Sequence, residues 1–120
     1  VAEGLALAKA LKLDAPTFFH MLTNSHSNSP IIQWMVPKVF AGQFEAEARL
    51  DIAYKDMSQA VKLGREMTSL PLNIANAATE VFQLSRSFGF GDQDSTAVVR
   101  GLEKLLGEEI RVSSSETPSV

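Results

Sequence analysis

Leu50-Asp51-Ile52-Ala53-Tyr54-Lys55-Asp56-Met57-Ser58-Gln59-Ala60-Val61-Lys62-Leu63-Gly64 carries the longest clean period in the chain. Leu50, Tyr54, Met57, Val61 and Gly64 step by four and three residues, the spacing that lines one face of an α-helix. Ser69-Leu70-Pro71 interrupts that period. Beyond it, Ile74, Ala77, Ala78, Val81, Phe82 and Phe88 predict a second long helix ending near Gly89 or Gly91, where glycine supplies a C-cap. Asp94 then caps a last helix bearing Val98, Leu102, Leu105 and Leu106, stopped by Gly107.

Upstream, Leu5, Ala8, Leu11 and Leu7 fall on a helical face over residues 1–13, with no capping residue before Val1. Asp14-Ala15-Pro16-Thr17 reads as a cap with proline in the first turn, where its missing N–H has no cost. Phe18, Phe19, Met21 and Leu22 are expected on the buried side of the short helix that follows. The polar stretch Thr23 to Pro30 offers side chains that compete with the backbone for hydrogen bonds, so it is a loop or a cap. Apolar residues return from Ile31 to Phe40, and Pro37 predicts a bend or an end just before it. No alternating β-branched run bounded by hairpin turns occurs. The fold class expected is all-α, with five to six helices.

At 120 residues the chain suits one domain, burying roughly two-thirds of the surface its unfolded form exposes. Its 45% hydrophobic and 21% charged residues argue against disorder over most of the length. The tail 112–120 has little to bury and is expected to stay mobile. Eleven Lys and Arg against 14 Asp and Glu give a net charge of −3 without a basic stripe, which excludes a nucleic-acid partner on electrostatic grounds. The absence of cysteine excludes disulfides, zinc–thiolate sites and cysteine nucleophiles. No apolar run approaches the roughly 20 residues that span a bilayer, and the start lacks the order of a signal peptide, so a cytoplasmic protein is expected.

Read without any family, Lys55 and Asp56 belong to a solvated helix face, with Asp51 and Lys55 placed to pair one turn apart. His20 and His26 lack the one-turn spacing of a metal pair, and no metal site is expected. Gly89-Phe90-Gly91-Asp92-Gln93-Asp94 has neither the pattern nor the strand–helix setting of a dinucleotide turn, and reads as a C-cap running into an N-cap. No Gly-x-Ser-x-Gly elbow surrounds Ser95 or the Ser113–Ser115 run.

Four segments nevertheless stand in a telling order: Val1-Ala2-Glu3-Gly4-Leu5-Ala6-Leu7-Ala8, then Tyr54-Lys55-Asp56-Met57, then Pro71-Leu72, then Gly89-Phe90-Gly91-Asp92-Gln93-Asp94-Ser95. Together they resemble the C-terminal helical domain of the β-hydroxyacid dehydrogenases, relatives of 3-hydroxyisobutyrate dehydrogenase and 6-phosphogluconate dehydrogenase. The resemblance implies a 6-phosphogluconate dehydrogenase C-terminal-domain-like fold that starts within a truncated long helix. Residues 1–111 would form the substrate and dimerisation domain, with the N-terminal Rossmann domain absent.

The resemblance places Lys55 and Asp56 at the cleft, as cofactor- or substrate-binding residues, and Asn28 and Ser29 on a substrate-side loop whose bland reading is local capping. It assigns no catalytic residue to this chain, because the family's proton-handling lysine lies before Val1. It further implies NAD or NADP in the full-length enzyme, none bound by this fragment alone, a homodimer built through the helical domain, and an inactive isolated fragment. The sequence departs from the family at Ala48, where members often carry a bulky aromatic residue against the substrate. Two alternatives stay open: a non-catalytic dimerisation or scaffold module of dehydrogenase ancestry, and an imine-reductase-like relative.

Overall fold

The computed structural model describes residues 1–113. Among them the helices are α1 (Ala2–Ala10), α2 (Ala15–Thr23), α3 (Pro30–Ala41), α4 (Leu50–Leu63), α5 (Asn73–Ser87) and α6 (Val98–Leu106). A π-helical turn, Gly64–Thr68, extends α4, and a 3-10 turn, Ser95–Ala97, leads into α6. No strand occurs among the described residues; Arg49 and Asp94 form an isolated bridge. The expected tail from residue 112 lies outside the described residues beyond 113. Val112 itself is tied down, its amide donating to Phe40 O at 3.1 Å.

Several helix ends follow from local chemistry. The Asp14 carboxylate accepts the Thr17 amide at 2.9 Å and opens α2, with Pro16 in the first turn. The Thr17 hydroxyl and then its amide hold that carboxyl below its usual range. Ser29 caps α3, its Oγ accepting the Ile32 amide at 3.4 Å. Gly107 ends α6 in the left-handed conformation, φ +75°, which glycine adopts without a Cβ clash. Between Leu63 and α5 the chain turns through two left-handed non-glycine residues, Ser69 and Leu72, on either side of the Leu70-Pro71 break.

α3 is the spine of the core. Ile32, Met35, Val36, Pro37, Val39 and Phe40 are all buried on it, joined by Leu5 of α1, Leu50 of α4 and Val98 and Val99 of α6. Pro37 does not end this helix, since α3 runs four residues past it. Proline inside a helix costs about 3 kcal/mol, whereas fully burying one large apolar side chain stabilises by about 1.5–3 kcal/mol. Val39 and Phe40, carried inward just after Pro37, outweigh the lost donor. Other positions differ as well. Leu7, Leu11, Met21 and Ile74 point outward, at 61%, 62%, 63% and 88% exposure, because α1, α2 and the start of α5 are covered on one side only.

α5 lies between α4 and α6, and its contact with α6 is close enough to require glycine. A Cβ at Gly101 would fall 2.6 Å from Ser85 Oγ and 2.8 Å from the Ser85 amide nitrogen. That hydroxyl is fully buried and committed: it donates to Val98 O at 2.7 Å and accepts the Gly101 amide at 2.9 Å. Gly101→Ala therefore forces α5 and α6 apart and breaks this exchange. The expected loss is about 1–3 kcal/mol in urea unfolding, despite alanine's better helix propensity.

Candidate functional site

Lys55 and Asp56 project from the middle of α4, on the side opposite its buried residues Leu50 and Val61. Lys55 Nζ lies 3.3 Å from Asp56 Oδ1, with the two side chains 59% and 64% exposed. At that exposure the pair contributes roughly 0–1 kcal/mol, so both groups remain available to a ligand. The expected Asp51–Lys55 pair does not form. Asp51 is taken by Arg86 across the α4–α5 interface, its Oδ1 accepting from Arg86 Nε.

Arg86 is itself well anchored. Its guanidinium carbon sits 4.0 Å from the centre of the Tyr54 ring, and its Nη1 donates to Gln83 Oε1 at 2.7 Å. Asp51, Tyr54, Lys55, Ser58, Gln59, Lys62 and Arg86 thereby line an open groove of about 350 Å³. Its inner wall is a stacked Tyr54–Arg86–Asp51 plate, and its outer rim carries the two lysines. Nothing in the sequence announced the plate, since Arg86 lies 35 residues from Asp51.

Asn28 and Ser29 are elsewhere. Asn28 Oδ1 accepts from Gln33 Nε2 at 3.1 Å and Ser29 caps α3, so both spend their side chains on local bonds. The groove lined by Lys55 includes neither. A second cavity, about 280 Å³ and mainly apolar, opens where the starts of α1, α3 and α6 meet α5; Trp34, Met35, Val81 and Phe82 line it, and Asn28 and Ser29 do not. Ala48, at the expected aromatic position, is exposed. His20 is exposed too, its Nδ1 3.1 Å from Asn24 Nδ2. Among the described residues no three of His, Asp or Glu gather as a metal-binding group. No helix among them is long and apolar enough to cross a membrane.

Among the described residues, a helix bundle with an exposed cation–carboxylate pair on one rim, and no sheet, can contact a ligand through side chains but not through a glycine-rich strand–helix turn. The order of its motifs resembles that of the β-hydroxyacid dehydrogenases. The family described as "NAD-binding of NADP-dependent 3-hydroxyisobutyrate dehydrogenase" matches residues 1–102, and the chain belongs to it.

Similar proteins include the 2-(hydroxymethyl)glutarate dehydrogenase of Eubacterium barkeri, 27% identical over 111 residues, 92% of this chain and 36% of that protein. Glyoxylate/succinic semialdehyde reductase 1 of Arabidopsis thaliana is 30% identical over 102 residues, 85% of this chain and 35% of that protein. The cytokine-like nuclear factor N-PAC of Aedes aegypti is 29% identical over 98 residues, 82% of this chain and 17% of that protein. The chain thus spans about a third of the length of the first two.

The match corrects one expectation. The segment was expected to have a 6-phosphogluconate dehydrogenase C-terminal-domain-like fold, yet the family that covers it is described by NAD binding and not as a C-terminal helical domain. Helical periodicity and caps report local structure; they carry no marker of which part of a larger enzyme the helices form. The NAD-binding description here attaches to a helical surface, since no strand occurs among the described residues.

Proposed function

We propose that this chain serves an NAD(P)-dependent 3-hydroxyacid dehydrogenase as a helical wall of its reaction cleft, with Lys55 and Asp56 facing the cofactor or substrate. One observation carries the reading: in a segment whose family is described by NAD binding, the Lys55–Asp56 pair stands exposed on α4, beside a groove braced by Tyr54 and Arg86. The donor set suits a dinucleotide. The Lys55 ammonium and the Gln59 amide match ribose, phosphate and carboxylate oxygens, and Tyr54 offers apolar surface. When bound, the nicotinamide supplies the hydride exchanged with the substrate's hydroxyl-bearing carbon.

Within that reaction Lys55 acts as a point charge on a flexible stem, drawing a cofactor or substrate oxygen towards α4. Asp56, 3.3 Å away, positions the ammonium. No residue of this chain is assigned the proton transfer, so the chain alone is expected to be inactive. The substrate class is a small hydroxyacid or semialdehyde, in keeping with the names of the two dehydrogenase and reductase relatives. A homodimer would cover outward apolar residues such as Leu7 and Leu11.

In the intact protein, Lys55→Ala should weaken NAD(P)H binding about tenfold, the range of one charge-assisted hydrogen bond, with the melting temperature unchanged. Fluorescence titration with the reduced cofactor reads the effect independently of turnover. Unaltered affinity at unaltered stability would return Lys55 to a solvated face. A second reading, a non-catalytic scaffold, draws on the N-PAC relative, whose name is not that of a dehydrogenase, and on the missing aromatic at Ala48. It requires that the intact protein bind no reduced cofactor at all.

A further inference from the structure

Several hydroxyls within these helices bond back to the backbone of their own turn. Thr23 Oγ1 donates to Phe19 O at 3.1 Å, Thr79 Oγ1 to Ala75 O at 2.8 Å, and Ser87 Oγ to Leu84 O at 2.6 Å. Ser58 in α4 breaks that habit. Its Oγ is shut off from water and has no hydrogen-bond partner. A buried hydroxyl left in that state is destabilising, and natural proteins hold few of them without a reason.

The surroundings of Ser58 supply one. Lys55 precedes it by three residues and Lys62 follows by four, so the three share one face of α4 with a lysine one turn to either side. All three line the same groove. The groove's remaining charges, Asp51 and Arg86, neutralise one another as an ion pair. Lys55 and Lys62 reach only Asp56 and Glu66, at 3.3 Å and 3.9 Å, and all four side chains are more than half exposed. Such pairs are weak and give way to a better-placed anion. Turning the Ser58 side chain by one χ1 step towards the groove sacrifices no hydrogen bond, whereas the same step at Thr79 would break one.

We propose that this face of α4 binds a phosphate-class anion, held between the Lys55 and Lys62 ammonium groups with the Ser58 hydroxyl donating at the centre. A phosphoryl group presents acceptor oxygens in several directions, which suits three donors spread over two helical turns. The anion is either a free phosphate compound or the phosphates of a dinucleotide. The inference rests on the residues of α4 and does not need Lys55 to face a nicotinamide.

Amide NMR of the 120-residue chain, titrated with pyrophosphate and separately with sodium chloride at matched ionic strength, tests it. Saturable shifts confined to α4 around residues 55–62 are expected with pyrophosphate alone. Ser58→Ala and Lys62→Gln should each weaken that binding about tenfold. Because Ser58→Ala removes an unpaired hydroxyl, it should fold with unchanged or higher melting temperature while losing the rise that pyrophosphate gives the parent. Saturation by both inorganic phosphate and pyrophosphate points to a free compound; saturation by NADPH with the same loss in Ser58→Ala points to the dinucleotide. Identical shifts with chloride, or variants that bind pyrophosphate and NADPH like the parent, would overturn the site. If Lys55→Ala alone weakens NAD(P)H binding in the intact protein while Ser58→Ala and Lys62→Gln do not, the anion site fails and the cofactor reading stands.

Discussion

Asp94→Ala is expected to lower the unfolding free energy by about 3–5 kcal/mol, a large part of the 5–15 kcal/mol typical of a domain. Asp94 is completely buried, and it caps its own turn while tying that turn to the segment before α4, which helix periodicity leaves separate. Its Oδ2 accepts the amides of Glu47 and Ala48 at 3.0 and 3.1 Å, and its Oδ1 accepts the Thr96 amide at 3.0 Å. The backbone repeats the connection: the Asp94 amide donates to Phe44 O at 3.0 Å and the Ser95 amide to Ala48 O at 2.7 Å. Alanine leaves three donors unpaired where α4 begins and where the 3-10 turn opens α6. The buried Thr96 donor, once orphaned, costs about 1–3 kcal/mol, and the part-buried Glu47 and Ala48 amides add less because water reaches them more readily.

The same carboxylate sets an acid limit. Burial pushes the Asp94 carboxyl up, but the amides of Thr96, Ala48 and Glu47 together outweigh it and hold the group below its ordinary value. A carboxyl depressed in the folded state contributes stability that is fully present above its unfolded value of about 3.9. That contribution is lost as pH falls through the lower folded value. Urea unfolding from pH 6 downward should therefore show a stability decline below about pH 4 that Asp94→Asn reduces. Equal pH slopes in the two proteins would show that the buried carboxyl is not held as an anion.

Caps were the most legible features in the sequence, because a cap is chemistry between neighbours. Asp14 with Pro16, Ser29, Asp94 and Gly107 all act within a few residues of themselves. What Asp94 does beyond its own turn was invisible, since its partners Glu47 and Ala48 lie 47 and 46 residues away. Asp51 shows the same limit from the other side. Helix spacing offered it Lys55, and the fold brought it a better partner in Arg86 from α5. Pro37 does not end α3 because the buried side chains that follow it outweigh the one missing donor that propensity counts.

At the candidate site the outward position of Lys55 and Asp56 follows from the inward position of Leu50 and Val61, which the period made plain. The unpaired Ser58 hydroxyl could not be foreseen. Serine in a helix can bond back to the carbonyl four residues earlier, and nothing local marks Ser58 as one that does not.

Glu103→Ala should cost about 2–4 kcal/mol and release the segment after α6 from the core. Glu103 is buried on α6, where its Oε1 accepts the Ile110 amide at 2.8 Å and Arg111 Nη1 at 2.6 Å. Arg111 in turn donates to Val39 O at 3.2 Å, and its guanidinium carbon lies 4.8 Å from the centre of the Phe44 ring. One carboxylate thus pins the returning chain against α3 and lets Ile110 close the core. Removing it strands the Ile110 amide and leaves a guanidinium without its counter-charge. Arg111 keeps about a quarter of its side chain in solvent, which moderates the penalty below that of a fully buried pair. Glu103→Gln retains one acceptor and should recover part of the loss, whereas Arg111→Lys should not match wild type, because an ammonium cannot reach Glu103 and Val39 while stacking on Phe44. Hydrogen exchange at Ile110 and Val112 separates local release from global weakening. Faster exchange at these two amides, at denaturant concentrations where α3 stays protected, is the expected pattern. Uniform acceleration across the core would mean that the carboxylate supports the whole bundle and not this strap alone.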